Sequence, residues 1–373
     1  MILHLAYDEK VINRCIDNFE EVYPNGNKFV IIKKDDSLPK LAAHPKSICC
    51  KYNSKKFWDT VGDVSQYKSI VLHLLLEETA DFVNKINHPN IYWIEWGGDL
   101  YNQLLQVRGF KIYYDKDVSW KMSHIRLPHF LYNIVKSTSL KYNAKKIVKA
   151  AKKIKYFVPD SMYDEVEIIK QYYPELSHLQ YKNFFYYPID EVVQPELFNK
   201  KVEGNNIIIG NSASTSGNHE MVFNKIKDLK IPGSKIICPL SYGNNSYAEY
   251  VNNLGTSIWG SDFNGLRTFM PLDEYNKIFL SANTFIYGNW RQEAVGNILV
   301  SLFLGGRVFL DIRNPLYSFY QRCGLIIFPL HSVNESNICE RLSDEEIKHN
   351  QSILMDMYSR EKLFELIRNN FLC

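Results

Sequence analysis

From residue 205 onward, short apolar runs and helical patterns take turns along the chain with little between them. The runs are "NIIIG" (206–210), "KIICPL" (235–240), "TSIWG" (256–260), Thr284–Tyr287, "RVFLD" (307–311) and "LIIFP" (325–329). Helical periodicity falls near 218–229, near 246–254, in "PLDEYNKIFLSA" (271–282), over Ile298–Leu304 and from Pro315. Few folds suit this pattern, because parallel strands need crossovers and each crossover helix must cover a sheet face. The spacing predicts a doubly wound parallel sheet, and ligands of such sheets bind beyond the carboxyl ends of the strands.

The first half is less regular but similar in kind, with strands readable at "MILHLA", "KFVIIK", "SIVLHL", "IYWIEW" and "KYFVP". A chain of 373 residues exceeds one typical core. The expectation is therefore α/β, with one Rossmann-like domain over 1–190 and a second over 205–345. The proline-bearing stretch 186–206 reads as the linker. A last helix, roughly Ser343–Asn369, has the option of carrying the tail 346–373 back to the first domain.

"MILHLAYDEK" has no signal-peptide pattern and reads as a first strand, and no apolar run approaches the ~20 residues of a membrane span. Seven cysteines without a CxxC pair fit a reducing compartment and give no zinc spacing. A chain that stays inside the cell is expected. The net charge is only +3, but it is unevenly placed. Between Asp117 and Asp160 there is no acidic residue, while Lys121, Arg126, Lys136, Lys141, Lys145, Lys146, Lys149, Lys152, Lys153 and Lys155 stand there. From Lys141 to Lys155 the lysines alternate with Ala, Ile and Val in a helical rhythm. Either a solvated helix or a helix lying on an anionic membrane fits that pattern. Nucleic acid is not an expected partner, since no recognition motif accompanies the lysines.

Three turns of the second half carry the candidate chemistry. "GNWRQEAVGN" (288–297) crowds polar and flexible residues between a strand and a helix, where free N–H groups and the helix dipole attract anions and Arg291 adds a full charge. "GNSASTSGNHE" (210–220) is built of small residues whose N–H groups approach phosphate or sugar oxygens closely, with Asn218 as the cap of the helix that follows. It is neither a P-loop nor a GxGxxG turn. "PLSYGNNSY" (239–247) lies on the same predicted rim. The candidate ligand-binding residues are Gly210, Asn211, Ser212, Ser214, Ser241, Tyr242, Tyr287, Arg291, Gln292, Glu293, Gly296 and Asn297. A phosphate-bearing ligand is the class they suit.

In the first half, "IYWIEWGGDLYNQLL" (91–105) ends a bulky strand at Gly97-Gly98 and opens a helix at Asp99. The glycines leave room for a tight turn or a ligand, and Asp99 reads either as an N-cap or as a functional carboxylate. Glu95 is the other carboxylate near this strand end. "DKD" (115–117) has a spacing some sugar transferases use for a divalent metal, and a solvated turn fits it as well. No HExxH or GxSxG motif is present, and no metal site is expected.

Taken together, "GNSASTSGNHE", "PLSYGNNSYAEYV", "WGGDLY" and above all "RQEAVGN…GGRVFL…NP" resemble the bacterial family-56 glycosyltransferases, in the same order from about residue 90 to 330. That family moves 4-acetamido-4,6-dideoxygalactose from a dTDP-sugar to a lipid-linked saccharide of enterobacterial common antigen. The resemblance implies a GT-B fold of two Rossmann-like domains facing across a cleft, with the donor mainly on the second and the acceptor on the first. It implies an inverting, metal-independent transfer with no cofactor. The acceptor would be an undecaprenyl-diphosphate-linked saccharide at the cytoplasmic face of the bacterial inner membrane, where the protein would sit peripherally, with Lys145, Lys146, Lys149, Lys152 and Lys153 facing anionic lipid. Arg291, Gln292 and Gly296 keep the family's turn, whereas Glu293 stands where the family has Gln, which leaves donor identity open. The general base belongs on the first domain, and Asp99 is the first candidate with Glu95 in reserve. Two other readings remain: a non-catalytic nucleotide-sugar-binding partner of the same pathway, and a metal-dependent transferase using Asp115 and Asp117.

Overall fold

The apolar runs pair as strands of two separate, wholly parallel sheets in the computed structural model, which describes residues 1–123, 128–159 and 164–372. The first sheet contains β1 (Ile2–Tyr7), β2 (Asn27–Lys33), β3 (Ser47–Lys51), β4 (Ser69–His73), β5 (Ile91–Ile94), β6 (Tyr156–Val158) and β7 (Gln180–Tyr181). Its spatial order is β3-β2-β1-β4-β5-β6-β7. The second sheet contains β8 (Asn206–Ile209), β9 (Ile236–Pro239), β10 (Phe263–Leu266), β11 (Ala282–Tyr287), β12 (Arg307–Leu310) and β13 (Phe328–Pro329), in the order β10-β9-β8-β11-β12-β13. Both orders reverse direction once, at β1/β4 and at β8/β11, as in doubly wound folds. Central strands are buried on both faces, and Ile207, Ile208 and Ile209 are fully so.

The chain divides into two units, each containing one sheet. Unit 1 holds 1–110, 135–188 and 358–373, and unit 2 holds 111–134 and 189–357. The division differs from the sequence expectation of 1–190 at one important place. Val118 joins the buried core formed by Ile207, Phe223, Ile236 and Tyr247, with Tyr113 and Met122 packed against it, so this stretch belongs with the second sheet's unit. The expected linker is ordered as well. Val193 and Leu197 are buried, and Val202 N–H donates to Leu304 O at 2.9 Å.

"TSIWG" is not a strand. The helix capped by Asn244 runs through it, Asn245–Trp259, and the strand follows at Phe263. Tyr247, Val251, Leu254 and Ile258 continue at helical spacing, and Gly255 is required because a Cβ there would meet the Phe263 ring at 2.3 Å. The final helix is two helices, Asp344–Met357 and Arg360–Phe371, separated at Ser359, whose hydroxyl accepts from Lys362 N–H. The second of these belongs to unit 1, where Phe371 packs on Phe19, Tyr92 and Phe184. Among the described residues no helix is long and apolar enough to cross a membrane.

Unit 1 carries a hydrogen-bonded chain through its sheet. Trp96 Nε1–H donates to Tyr186 Oη at 2.7 Å, Tyr186 Oη meets His73 Nδ1 at 2.7 Å, His73 Nε2 meets His4 Nδ1 at 3.1 Å, and His4 Nε2 faces Asn27 Oδ1. With both imidazoles neutral, each nitrogen or hydroxyl donates to the next and every proton is placed. Burial holds His73 down at about 3 and His4 well below the usual range. A histidine with a depressed folded pKa stabilises fully above its unfolded value near 6.5, and this contribution is lost as pH falls, because the unfolded chain takes up the proton. Between pH 7 and pH 5, His73 should cost unit 1 about 2 kcal/mol. Denaturant titrations at the two pH values should show His73→Asn, destabilised at pH 7, losing that much less on acidification than the wild type. Equal losses would mean that His73 does not titrate on unfolding.

Candidate functional site

The switch point of the second sheet puts two of the three polar turns side by side. Ile209 at the end of β8 pairs with Ile286 of β11, so the loop after Gly210 and the turn after Tyr287 leave adjacent strands at their carboxyl ends. The third turn is stitched to the first. Ala213 N–H donates to Tyr242 O at 2.7 Å and Asn244 N–H to Ala213 O at 3.0 Å, and Gly243, at φ +118°, lies so close that a Cβ would strike Ala213 O. Asn244 Oδ1 then caps its helix through Tyr247 N–H.

The loop 210–218 wraps a buried histidine. A Cβ at Gly210 would meet His219 Nε2 at 2.6 Å, and Gly210 also sits at φ +71°, so only glycine fits. His219 is wholly buried, and that burial lowers it to about 4. Asn218 does not cap its helix with its side chain, as the sequence suggested. At φ +50°, it turns the amide inward, where Oδ1 accepts from Tyr114 N–H at 2.8 Å and Nδ2 donates to Gly288 O at 3.0 Å. One buried amide thus fastens segment 111–117, the first loop and the Arg291 turn together.

Within the turn 288–294, Glu293 is the hub. Its Oε2 accepts from Ser216 Oγ at 2.5 Å and Asn289 Nδ2 at 2.8 Å, and pairs with Arg291 at 3.1 Å. Arg291 Nη1 donates to Gln292 O at 3.0 Å. Three buried polar atoms here have no partner among the described residues: Arg291 Nε, Trp290 Nε1 and Asn289 Oδ1. Unsatisfied N–H donors beside a guanidinium are what an anionic, oxygen-rich ligand would satisfy. Ala294 sits at φ +67°, an uncommon conformation for a residue with a Cβ, immediately before the helix Val295–Phe303. A second cation stands at the neighbouring strand end. Arg313 lies 3.5 Å over the Trp290 ring and is held by both oxygens of Asp311, at 2.7 and 2.5 Å.

The sequence-predicted residues therefore divide. Gly210, Ser214, Arg291, Gln292 and Glu293 meet at the switch point, with Asn211 half-buried and Ser212 buried in the first loop. Ser241 and Tyr242 are exposed on the third turn. Two expectations need correcting. Tyr287 is fully buried, and its hydroxyl pairs with Ser301 at 3.0 Å, which takes it out of a ligand's reach. Asn297 donates to Tyr275 Oη at 3.0 Å, while Gly296 is exposed at the helix start. Sequence reading missed Asn289, Trp290, Ser216 and Arg313. The dipeptide Asn289-Trp290 directly before Arg291 was the available signal.

In unit 1 the carboxylates are placed differently from expectation. Asp99 is fully buried and accepts three N–H groups: Leu75 N at 2.9 Å, Trp93 Nε1 at 2.6 Å and Trp96 N at 3.0 Å. It ties the turns after β4 and β5 together, and neither an N-cap nor a base meeting an acceptor hydroxyl has those surroundings. Burial, opposed by these bonds, raises its pKa. Glu95 is also buried and accepts from Gly97 N–H. Burial first, then the neighbouring Glu165 and Asp99, push it well above the usual range, which favours its protonated form.

The "DKD" carboxylates are engaged by neighbours. Asp115 accepts from Lys121 Nζ at 2.6 Å and Asp117 N–H at 2.9 Å, while Asp117 pairs with His129 at 3.0 Å. Among the described residues no three His, Cys, Asp or Glu side chains converge on a metal-sized site. Of the expected lysine patch, Lys145, Lys149, Lys152 and Lys153 are exposed. Lys146 pairs with Glu77 at 3.1 Å. Lys153 caps the helix Glu77–Lys85 by donating to Val83, Asn84 and Ile86 carbonyls. These two serve the fold, and Arg126 lies outside the described residues.

No family model matches the sequence. Solved structures do match over the whole chain. HepE from Anabaena, solved with UDP and glucose, is 12% identical with a TM-score of 0.61, covering 100% of this chain and 99% of that one. A sucrose-phosphate synthase from Thermosynechococcus elongatus is 9% identical at 0.62, covering 100% and 99%. WaaG, a glycosyltransferase of lipopolysaccharide biosynthesis, is 9% identical at 0.55, covering 99% and 98%. At such identities the likeness is one of fold. With its two Rossmann-like parallel sheets, the chain has the GT-B fold.

Proposed function

We propose that this protein is a glycosyltransferase whose donor, a nucleoside-diphosphate sugar, is held at the switch point of the second sheet. The observation that carries this reading is the Arg291 turn: a guanidinium with an unpartnered Nε–H, the unpartnered Trp290 N–H and a helix start beside a glycine-rich loop. Diphosphate oxygens match those donors. As the bond from sugar to phosphate breaks, charge grows on the departing diphosphate, and pre-positioned cationic donors stabilise it most at that moment. Solved proteins of the same fold include one in complex with UDP and glucose, which supports the donor class.

The finer reading rests on the resemblance to family-56 enzymes: a dTDP-linked 4-amino-4,6-dideoxyhexose, or its N-acetylated form, moved with inversion and without metal. The acceptor is an undecaprenyl-diphosphate-linked saccharide of O-antigen or common-antigen assembly, met at the cytoplasmic face of the inner membrane. In this reading Glu293, held by Ser216 and Asn289, reads donor hydroxyls, and the sugar differs from one a glutamine would select. The test is turnover of dTDP-, UDP- and GDP-sugars with a short-chain polyprenyl-diphosphate saccharide, with and without chelator. Transfer that survives chelator supports the reading, and transfer abolished by chelator would move it to a metal-dependent enzyme. Nucleotide binding without transfer to any acceptor would make the protein a non-catalytic partner.

A further inference from the structure

We infer that the helix His129–Ala151 is a bilayer-docking element that inserts an apolar end as well as presenting lysines to lipid headgroups. No residue from 129 to 143 is buried, although this part of the helix carries Phe130, Leu131, Ile134 and Val135. These four side chains are between 38% and 64% exposed. At i, i+1, i+4 and i+5 they form one contiguous patch, which solvated helices rarely leave uncovered.

The lysines continue the same side of the helix. At 100° per residue, Phe130, Ile134, Lys141, Lys145 and Lys149 fall within about 100° of one another, opposite the buried Ile147 and Ala150. The exposed stripe is therefore apolar in its first two turns and cationic beyond, with Tyr142, 60% exposed, at the junction. At 1.5 Å rise per residue, Ile134 lies about 10 Å along the axis from Lys141 and about 17 Å from Lys145. That length suits a helix tilted into the interface, its apolar end at the acyl boundary and its lysines among phosphates. Aromatic rings with a hydroxyl favour the level between. With no acidic residue from 118 to 159, nothing on this stretch repels an anionic surface, and charge complementarity selects a bilayer over a protein partner. Lysines alone would give purely salt-sensitive binding, whereas two signals give binding that salt weakens without abolishing.

This inference does not depend on the donor chemistry, and its test needs no donor. Vesicles of 3:1 zwitterionic to anionic phospholipid are sedimented with the full chain at low and at 0.5 M salt. Wild type should bind, and more weakly but measurably at high salt. Phe130→Ser/Ile134→Ser and, separately, Lys141, Lys145, Lys149 and Lys152→Gln should each lower the partition coefficient about tenfold or more. All these positions are exposed, so circular dichroism should show folded variants whose nucleoside-diphosphate affinity is unchanged. Failure of the wild type to bind, or full binding by the Phe130/Ile134 variant, overturns the inference. So does a change of oligomeric state in that variant with vesicle binding intact, which would identify a protein interface.

Discussion

Arg291→Ala should weaken nucleoside-diphosphate binding by roughly 1.5–3 kcal/mol, about ten- to a hundredfold, and lower turnover at least as much. The guanidinium is a charged donor at the switch point, and its Nε–H has no partner among the described residues. Losing it should leave the fold intact, because Glu293 keeps Ser216 and Asn289 and the turn stays fastened by Asn218 to Gly288. Glu293→Gln gives the opposite sign for the diphosphate itself. It removes the carboxylate that competes with phosphate for Arg291, so affinity should hold or rise while sugar selectivity shifts. Calorimetric titration separates the two, and Arg291→Ala binding like the wild type would remove Arg291 from the site.

Asp99→Ala should destabilise unit 1 by about 3–5 kcal/mol, because it strands the buried N–H groups of Leu75, Trp93 and Trp96 at once. Asp99→Asn should be nearly as costly, since its NH2 must face at least one of those donors. Denaturant unfolding followed by tryptophan fluorescence measures this, Trp93 being one of the reporters. Nucleoside-diphosphate affinity of the folded fraction should be unchanged. An Asp99→Asn protein of wild-type stability that fails only in turnover would return Asp99 to the role of a base.

Strand positions and the polar character of the turns were legible because both are local. Ile207–Ile209 and Arg307–Leu310 are short buried runs, and buried parallel strands read as continuous apolar stretches. Short edge strands carry less signal, and β3 ("SICCK") and the two-residue β7 went unread. "TSIWG" misled because its β-branched residues look strand-like, while the packed face Tyr247, Val251, Leu254 and Ile258 carries the helix through it. The site's assembly was the least legible part. That Glu293 meets Ser216 follows from β8 pairing with β11 across 77 positions of sequence, and that Tyr114 meets Asn218 follows from Val118 entering the other sheet's core. Asp99 illustrates the same limit. Its residue type and place at a strand end suit a catalytic base, and only the donors brought by Leu75 and Trp93 reveal a structural anchor.

Hydrogen exchange with and without a nucleoside diphosphate tests the central claim most directly. The ligand is whichever of dTDP, UDP and GDP most raises the thermal midpoint, and it is added at saturation. The predicted result is slowed exchange in 210–220, 239–247 and 288–297, lost together in Arg291→Ala. Protection confined to unit 1, or slowed exchange in 210–220 that persists unchanged in Arg291→Ala, would contradict the placement of the donor at the β8/β11 switch point.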